Sequence, residues 1–162
     1  MQEESEVKTI FRSPFVKTEG EEGTEWEFVA DLPDGSELRA CIHPAALFES
    51  LEKSRGEDEL LVCTCSIAGC AGFWHESFEW GDGWIEWRVK MTGRTVIWRF
   101  DQNAYESGAM RMLRDIHDSR QGWEFCFFWY PSFEEFAQAV DRFLAENPRF
   151  REMWEKGGGR AG

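Results

Sequence analysis

No run in this sequence approaches the apolar length of a membrane span, and Met1 to Ile10 is acidic and polar where a secretory leader would be basic and then apolar. The expectation is a cytoplasmic chain with no membrane partner. Histidine is scarce, with only His43, His75 and His117, and no G-x-S-x-G, H-E-x-x-H or papain-like cysteine signature occurs. Nothing specific therefore pairs a nucleophile with a base. The glycine-rich end, Gly157 to Gly162, lacks the lysine, the preceding strand and the following helix of a phosphate loop. Basic residues are in deficit too: 18 Lys and Arg against 31 Asp and Glu leave a net charge of −13. A field of that sign opposes contact with phosphate backbones, and the tryptophan-rich strands have no basic groove to make them a nucleic-acid stacking platform. A disulfide framework is not expected either, because five cysteines, an odd number in a chain this long, fit a reducing compartment better.

What the chain has in excess is aromatic surface. Its 14 Phe and 9 Trp must be packed in a core or displayed as a binding face. A length of 162 residues with 42% hydrophobic content describes one globular domain, residues 1–156, with 157–162 as a flexible tail. Acid is concentrated early: residues 1–60 hold 16 acidic and 6 basic side chains, the remainder 15 and 12. Such a pole accelerates encounter with a basic protein partner, and the candidate docking residues are Glu21, Glu22, Glu25 and Glu27, with Trp84 and Glu86 on a later strand. Solubility alone also accounts for an acidic surface, and the aromatic strand around Trp84 is compatible with a sugar-binding face. The paired carboxylates, Glu134-Glu135 among them, read as solvated faces and helix N-terminal charge rather than as general acids.

Periodicity predicts an α+β fold, an antiparallel β-meander covered by about three helices on one face. Val7 to Val16 reads as one strand with Phe11 and Phe15 on the same face and Pro14 at an edge or bulge. Trp26, Phe28 and Ala30 alternate with Glu25 and Glu27, Pro33-Asp34-Gly35 turns, and Glu37 to Ile42 returns with Leu38, Ala40 and Ile42 facing in. Pro44 opens a helix with Leu47, Phe48 and Leu51 as its apolar stripe, ended at Arg55-Gly56. Gly72 to Trp80 and Trp84 to Met91 form a hairpin, and Thr95 to Phe100 continues the meander with Val96, Trp98 and Phe100 inward. Asp101 caps a helix carrying Tyr105, Ala109, Met112, Leu113 and Ile116. Trp123 to Tyr130 is apolar enough for a strand buried on both faces. Ser132 and Glu135 then make a capping box before the stripe Phe133, Phe136, Ala137, Val140, Phe143 and Leu144, with Asn147-Pro148 as the stop and Phe150 and Trp154 adding one more turn.

The stretch Leu60 to Trp87 carries the candidate chemistry. Leu60 to Cys65 reads as a buried strand on which Cys63 and Cys65 point the same way, followed by Cys70 and His75 at intervals of five. Three thiolates and an imidazole are the ligand types of a closed structural zinc site, although two cysteines only two apart on extended backbone depart from the usual knuckle spacing. Two alternatives stand beside zinc. Reduced cysteines pack as small hydrophobes in internal strands, in which case no cofactor is bound; or Cys63 or Cys70 with His75 forms a thiol enzyme, an imidazolium lowering the thiol pKa.

The pattern C-x-C-x4-C-A-G after Leu60-Leu61, followed by an aromatic hairpin with Trp in its second arm, resembles a family of small uncharacterised bacterial proteins. The resemblance covers Glu59 to Tyr105, including Phe100 and Asp101, and implies an association with toxin-immunity and contact-competition genes without supplying a mechanism. One position departs from the family pattern: Ser66 stands after the second cysteine where glycine is usual, which puts in doubt any cage needing an unusual backbone angle there. The functional expectation is a non-enzymatic, immunity- or antitoxin-like protein whose acidic surface neutralises a basic toxin.

Overall fold

The computed structural model describes residues 5–21, 23–62, 73–126 and 129–157. Alternation of apolar and polar side chains builds most of the strands, and they form two sheets rather than one meander. The strands are β1 (Ser5–Ile10), β2 (Phe15–Gly20), β3 (Gly23–Asp31), β4 (Glu37–Ile42), β5 (Arg55–Glu57), β6 (Leu61–Val62), β7 (Phe73–Gly81), β8 (Trp84–Met91) and β9 (Arg94–Asp101). A five-stranded sheet has the order β1-β9-β8-β7-β5, and a four-stranded sheet the order β2-β3-β4-β6. All pairs are antiparallel except β1 with β9, which run parallel with Ser5 opposite Thr95 and Ile10 opposite Phe100. The four helices are α1 (Pro44–Glu52), α2 (Gln102–Ser119), α3 (Phe133–Glu146) and α4 (Pro148–Gly157). No described helix is long and apolar enough to cross a membrane.

The expected single strand Val7 to Val16 is two strands in different sheets. Between them the chain turns at residues 11–14, where Pro14 has no N–H for a ladder and the Ser13 hydroxyl accepts from the Phe15 N–H at 3.1 Å. Phe11 and Phe15 consequently part company: Phe11 is 78% exposed and Phe15 4%. The corner fits because α2 carries Gly108 beneath it. A Cβ on Gly108 would fall 1.9 Å from the Ser13 Oγ and 2.7 Å from its Cβ.

The buried faces of the two sheets meet through aromatic rings. Phe28 of β3 stands edge-on to Trp98 and Phe100 of β9, with centroids 5.8 and 5.6 Å away. Burying a side chain such as Phe28 stabilises the fold by about 1.5–3 kcal/mol. Ile85, Trp87 and Val89 of β8 and Val96, Trp98 and Phe100 of β9 line the inner face as their alternation predicts. Into the same core α2 projects Tyr105, Ala109, Met112, Leu113 and Ile116.

Hydrogen bonds satisfy the polar groups that the aromatic core buries around Tyr105. The Tyr105 hydroxyl accepts from Trp87 Nε1 at 3.1 Å and lies 2.9 Å from Ser50 Oγ of α1, which also donates to the Leu47 carbonyl at 2.7 Å. Trp80 Nε1 donates to the Ser50 carbonyl at 2.6 Å. On the far side of α2, the buried Glu106 takes a two-pronged hydrogen bond from Arg149 at 2.5 Å, docking α4, while Asp115 accepts from Trp26 Nε1 at 3.1 Å and pairs with Lys17.

Both predicted helix caps are in place: Asp101 Oδ2 accepts from the Ala104 N–H at 3.0 Å and Ser132 Oγ from the Glu135 N–H at 3.2 Å. Three other expectations are corrected. Arg55-Gly56 does not simply end α1 but opens β5, held by the Trp80 N–H to Ser54 carbonyl bond, with Gly56 pressed under the Phe78 ring. Trp123 to Tyr130 is no strand in its described part: Trp123–Cys126 is a 3₁₀ turn, and Trp123 and Tyr130 pack on Phe136 of α3. Phe150 and Trp154 belong to a full ten-residue helix, opened by Pro148 at its first turn.

Two stability predictions follow from this packing. Tyr105→Phe strands the Trp87 N–H in an apolar core and should cost about 1–3 kcal/mol in a denaturant titration. Gly108→Ala should cost a similar ~1–3 kcal/mol despite better helix propensity, and Ser13→Gly should recover most of that loss in a double-mutant cycle.

Candidate functional site

Cys63, Cys65 and Cys70 lie outside the described residues, so neither the zinc nor the thiol arrangement is visible as geometry. Of that set only His75 is described, on the outer face of β7, about half exposed and 3.6 Å from Glu57. Among the described residues no group of three His, Cys, Asp or Glu is placed to hold a metal ion. Cys41 is half-buried on β4 opposite Val62.

The approach to the cysteine stretch is nevertheless chemically distinctive. Glu76 shares a face of β7 with Phe78 and is 4% exposed, where the segment from Asp58 to Val62 crosses from one sheet to the other. Its Oε1 accepts from the Leu61 N–H at 3.0 Å, and its backbone carbonyl accepts from the Asp58 N–H at 3.2 Å. Burial pushes this carboxyl up to about 8, with the charges of Glu59 and Asp58 adding to the shift. Asp58 is itself pushed up to about 6, by burial and by sharing a hydrogen bond with Glu49, while Glu49 is lowered by the same bond and by Lys53. As pH falls through about 6 one proton comes to be shared between the two carboxyls, with the Lys53 ammonium on the more acidic Glu49. His43 caps α1 through Nδ1, which accepts from the Ala45 N–H at 3.2 Å, and its ring lies 4.8 Å from that of Trp129. Burial lowers its pKa, consistent with a neutral ring whose Nδ1 is an acceptor.

Sequence reasoning missed this carboxyl cluster, although the alternation that puts His75, Ser77 and Glu79 outward puts Glu76 inward. The chemistry available to it is proton storage at a seam between sheets. The groove of about 460 Å³ between β5, β7 and β8 lies on the outer face, away from it, lined by Arg55, Glu57, Ser77, Glu79, Glu86 and Arg88.

The predicted docking residues divide between the two sheets. Glu21, Glu25 and Glu27 belong to the β2–β3 hairpin, Glu22 lies outside the described residues, and Trp84 and Glu86 sit on the outer face of β8. The structure therefore does not gather them on one sheet. Trp84 packs on Gly81 so closely that a Cβ there would fall 2.2 Å from the ring, and the Arg99 guanidinium lies over the ring at 5.3 Å. That indole is engaged inside the protein, which argues against its stacking on a sugar. Glu86 is paired with Arg99 at 2.8 Å and Arg88 at 3.4 Å.

The acids of the four-stranded sheet fall into two groups. Arg39 pairs with Glu27 at 2.7 Å and Glu37 at 3.5 Å, and Arg12 with Asp31 at 2.9 Å. Glu19, Glu21 and Glu25, all exposed in or beside the β2–β3 turn, have no ion pair among the described residues.

Because the folded pKa of Glu76 is raised from the ordinary 4.5, its contribution to stability is complete below that value and is lost as pH rises through about 8. Glu76→Gln keeps an acceptor for Leu61 but cannot ionise, so its melting temperature should fall less than that of the wild type between pH 6 and roughly pH 9. Parallel melting curves would remove Glu76 from this role. No protein-family model, curated protein or solved structure matches the chain, and its function is read from this geometry.

Proposed function

We propose that this chain is a non-enzymatic cytoplasmic binding protein of immunity or antitoxin type, which uses an acidic surface to capture and neutralise a basic protein toxin. The observation that supports it is the uneven neutralisation of the β2–β3 hairpin. Arg12 and Arg39 compensate Asp31, Glu27 and Glu37, whereas Glu19, Glu21 and Glu25, at its turn, have no cation beside them among the described residues. Unpaired exposed carboxylates generate a field that steers a cationic partner and incur no loss of internal ion pairs when they dock.

The partner would first be identified by copurification from the native host, and its association then followed by stopped flow. Reversing Glu21, Glu22, Glu25 and Glu27 to lysine should slow association about tenfold or more at low salt and flatten its dependence on ionic strength. Within that set Glu21→Lys and Glu25→Lys should each act on the on-rate, and Glu27→Gln, which changes the charge by one unit rather than two and leaves Arg39 without its nearest carboxylate, should act in the same direction by a smaller step. An association rate indifferent to all four reversals would discard this surface.

A further inference from the structure

The two large hydrophobic side chains exposed among the described residues, Val7 at 50% and Phe11 at 78%, occur on or directly after one strand. That strand is β1, at the edge of the five-stranded sheet. Among the described residues its backbone forms ladder bonds with β9 alone, so the opposite row of N–H and C=O groups is open to another strand. Edge strands that remain free of such pairing usually carry a proline, a bulge or charge; β1 has a regular six-residue register and no proline, and the two charges on its inner face, Glu6 and Lys8, are of opposite sign.

We infer that β1 is the docking edge for a second copy of this chain, paired antiparallel about a two-fold axis through Val7. The charges select that occupant and that register. With Val7 opposite Val7, Glu6 of each copy faces Lys8 of the other, and Ser5 faces Thr9. A shift of two residues in one direction sets Glu6 against Glu6, and in the other Lys8 against Lys8. A shift of one residue exchanges the inner and outer faces of the incoming strand. Within a single copy both charges are poorly served. Lys8 has no ion pair among the described residues, and Glu6 Oε2 is buried without a hydrogen-bond donor, its nearest cation being Arg94 at 3.6 Å. Pairing brings a carboxylate to Lys8 and an ammonium to Glu6, twice over, and covers Val7 from both sides.

Sedimentation equilibrium of the full chain over a range of concentrations at physiological ionic strength tests the proposal. The wild type should form a dimer and no larger species, since a two-fold pairing uses up the edge. Lys8→Glu and Glu6→Lys should each raise the dissociation constant about tenfold or more, because each sets like charges across the axis. An equimolar mixture of the two variants should dimerise again, as a heterodimer with opposite charges at every 6–8 contact, which also shows that both variants are folded. Val7→Lys, placed on an exposed position, should weaken self-association without altering near-ultraviolet circular dichroism. A wild type that stays monomeric at every soluble concentration overturns the inference, as does a dimer whose affinity none of these substitutions changes.

Discussion

The hydroxyl of Tyr105 is the point on which the core depends. A fold that buries so many aromatic rings must also bury the N–H groups of its indoles, and each one left unpaired in that medium costs more than the hydrogen bond would return. Tyr105 accepts from Trp87 of the sheet and donates to Ser50 of α1, whose own proton goes to the Leu47 carbonyl, and Ser50 in turn is tied by its carbonyl to Trp80. Two strands and two helices are thereby fixed relative to one another by a few directional bonds set among non-directional contacts. Burial also holds the phenol protonated far above its ordinary range, so the network keeps one donor pattern over the whole stable range of pH.

Charge is handled differently in the interior and at the surface. Inside, Glu106 is neutralised by Arg149, and Glu76 is accommodated as a neutral acid at neutral pH. Outside, two arginines quench the middle of the four-stranded sheet and leave the end of its first hairpin charged. The formal excess of acid is therefore a poor guide to the field a partner meets. What matters is which carboxylates have already found a cation.

Much of this was legible in the residues because the governing interactions are local. Alternation over Trp84 to Phe100 decides which side chains enter the core, and the caps at Asp101 and Ser132 need only side chains three positions from the amides they satisfy. What escaped was long-range. The parallel pairing of β1 with β9 leaves no local mark, nor does the placing of Arg39 of β4 across from β3 beside Glu27. The segment after Gly122 was misread because its apolar run serves packing against α3 rather than a ladder. Glu76 was readable as inward-facing, yet nothing in the sequence announced that Leu61 would supply its donor.

The parallel pairing also sets an order of assembly. Ser5 cannot meet Thr95 until some ninety further residues have left the ribosome, which at about 5–20 residues per second takes several seconds or more. During that interval the hairpin β2–β3 can close on itself, whereas β1 waits as an extended segment carrying Val7 and Phe11. Closing so long a loop is the slow, high-contact-order step of the fold. Chains caught before it are the ones open to capture by chaperones or to strand exchange with a neighbour on the same polysome.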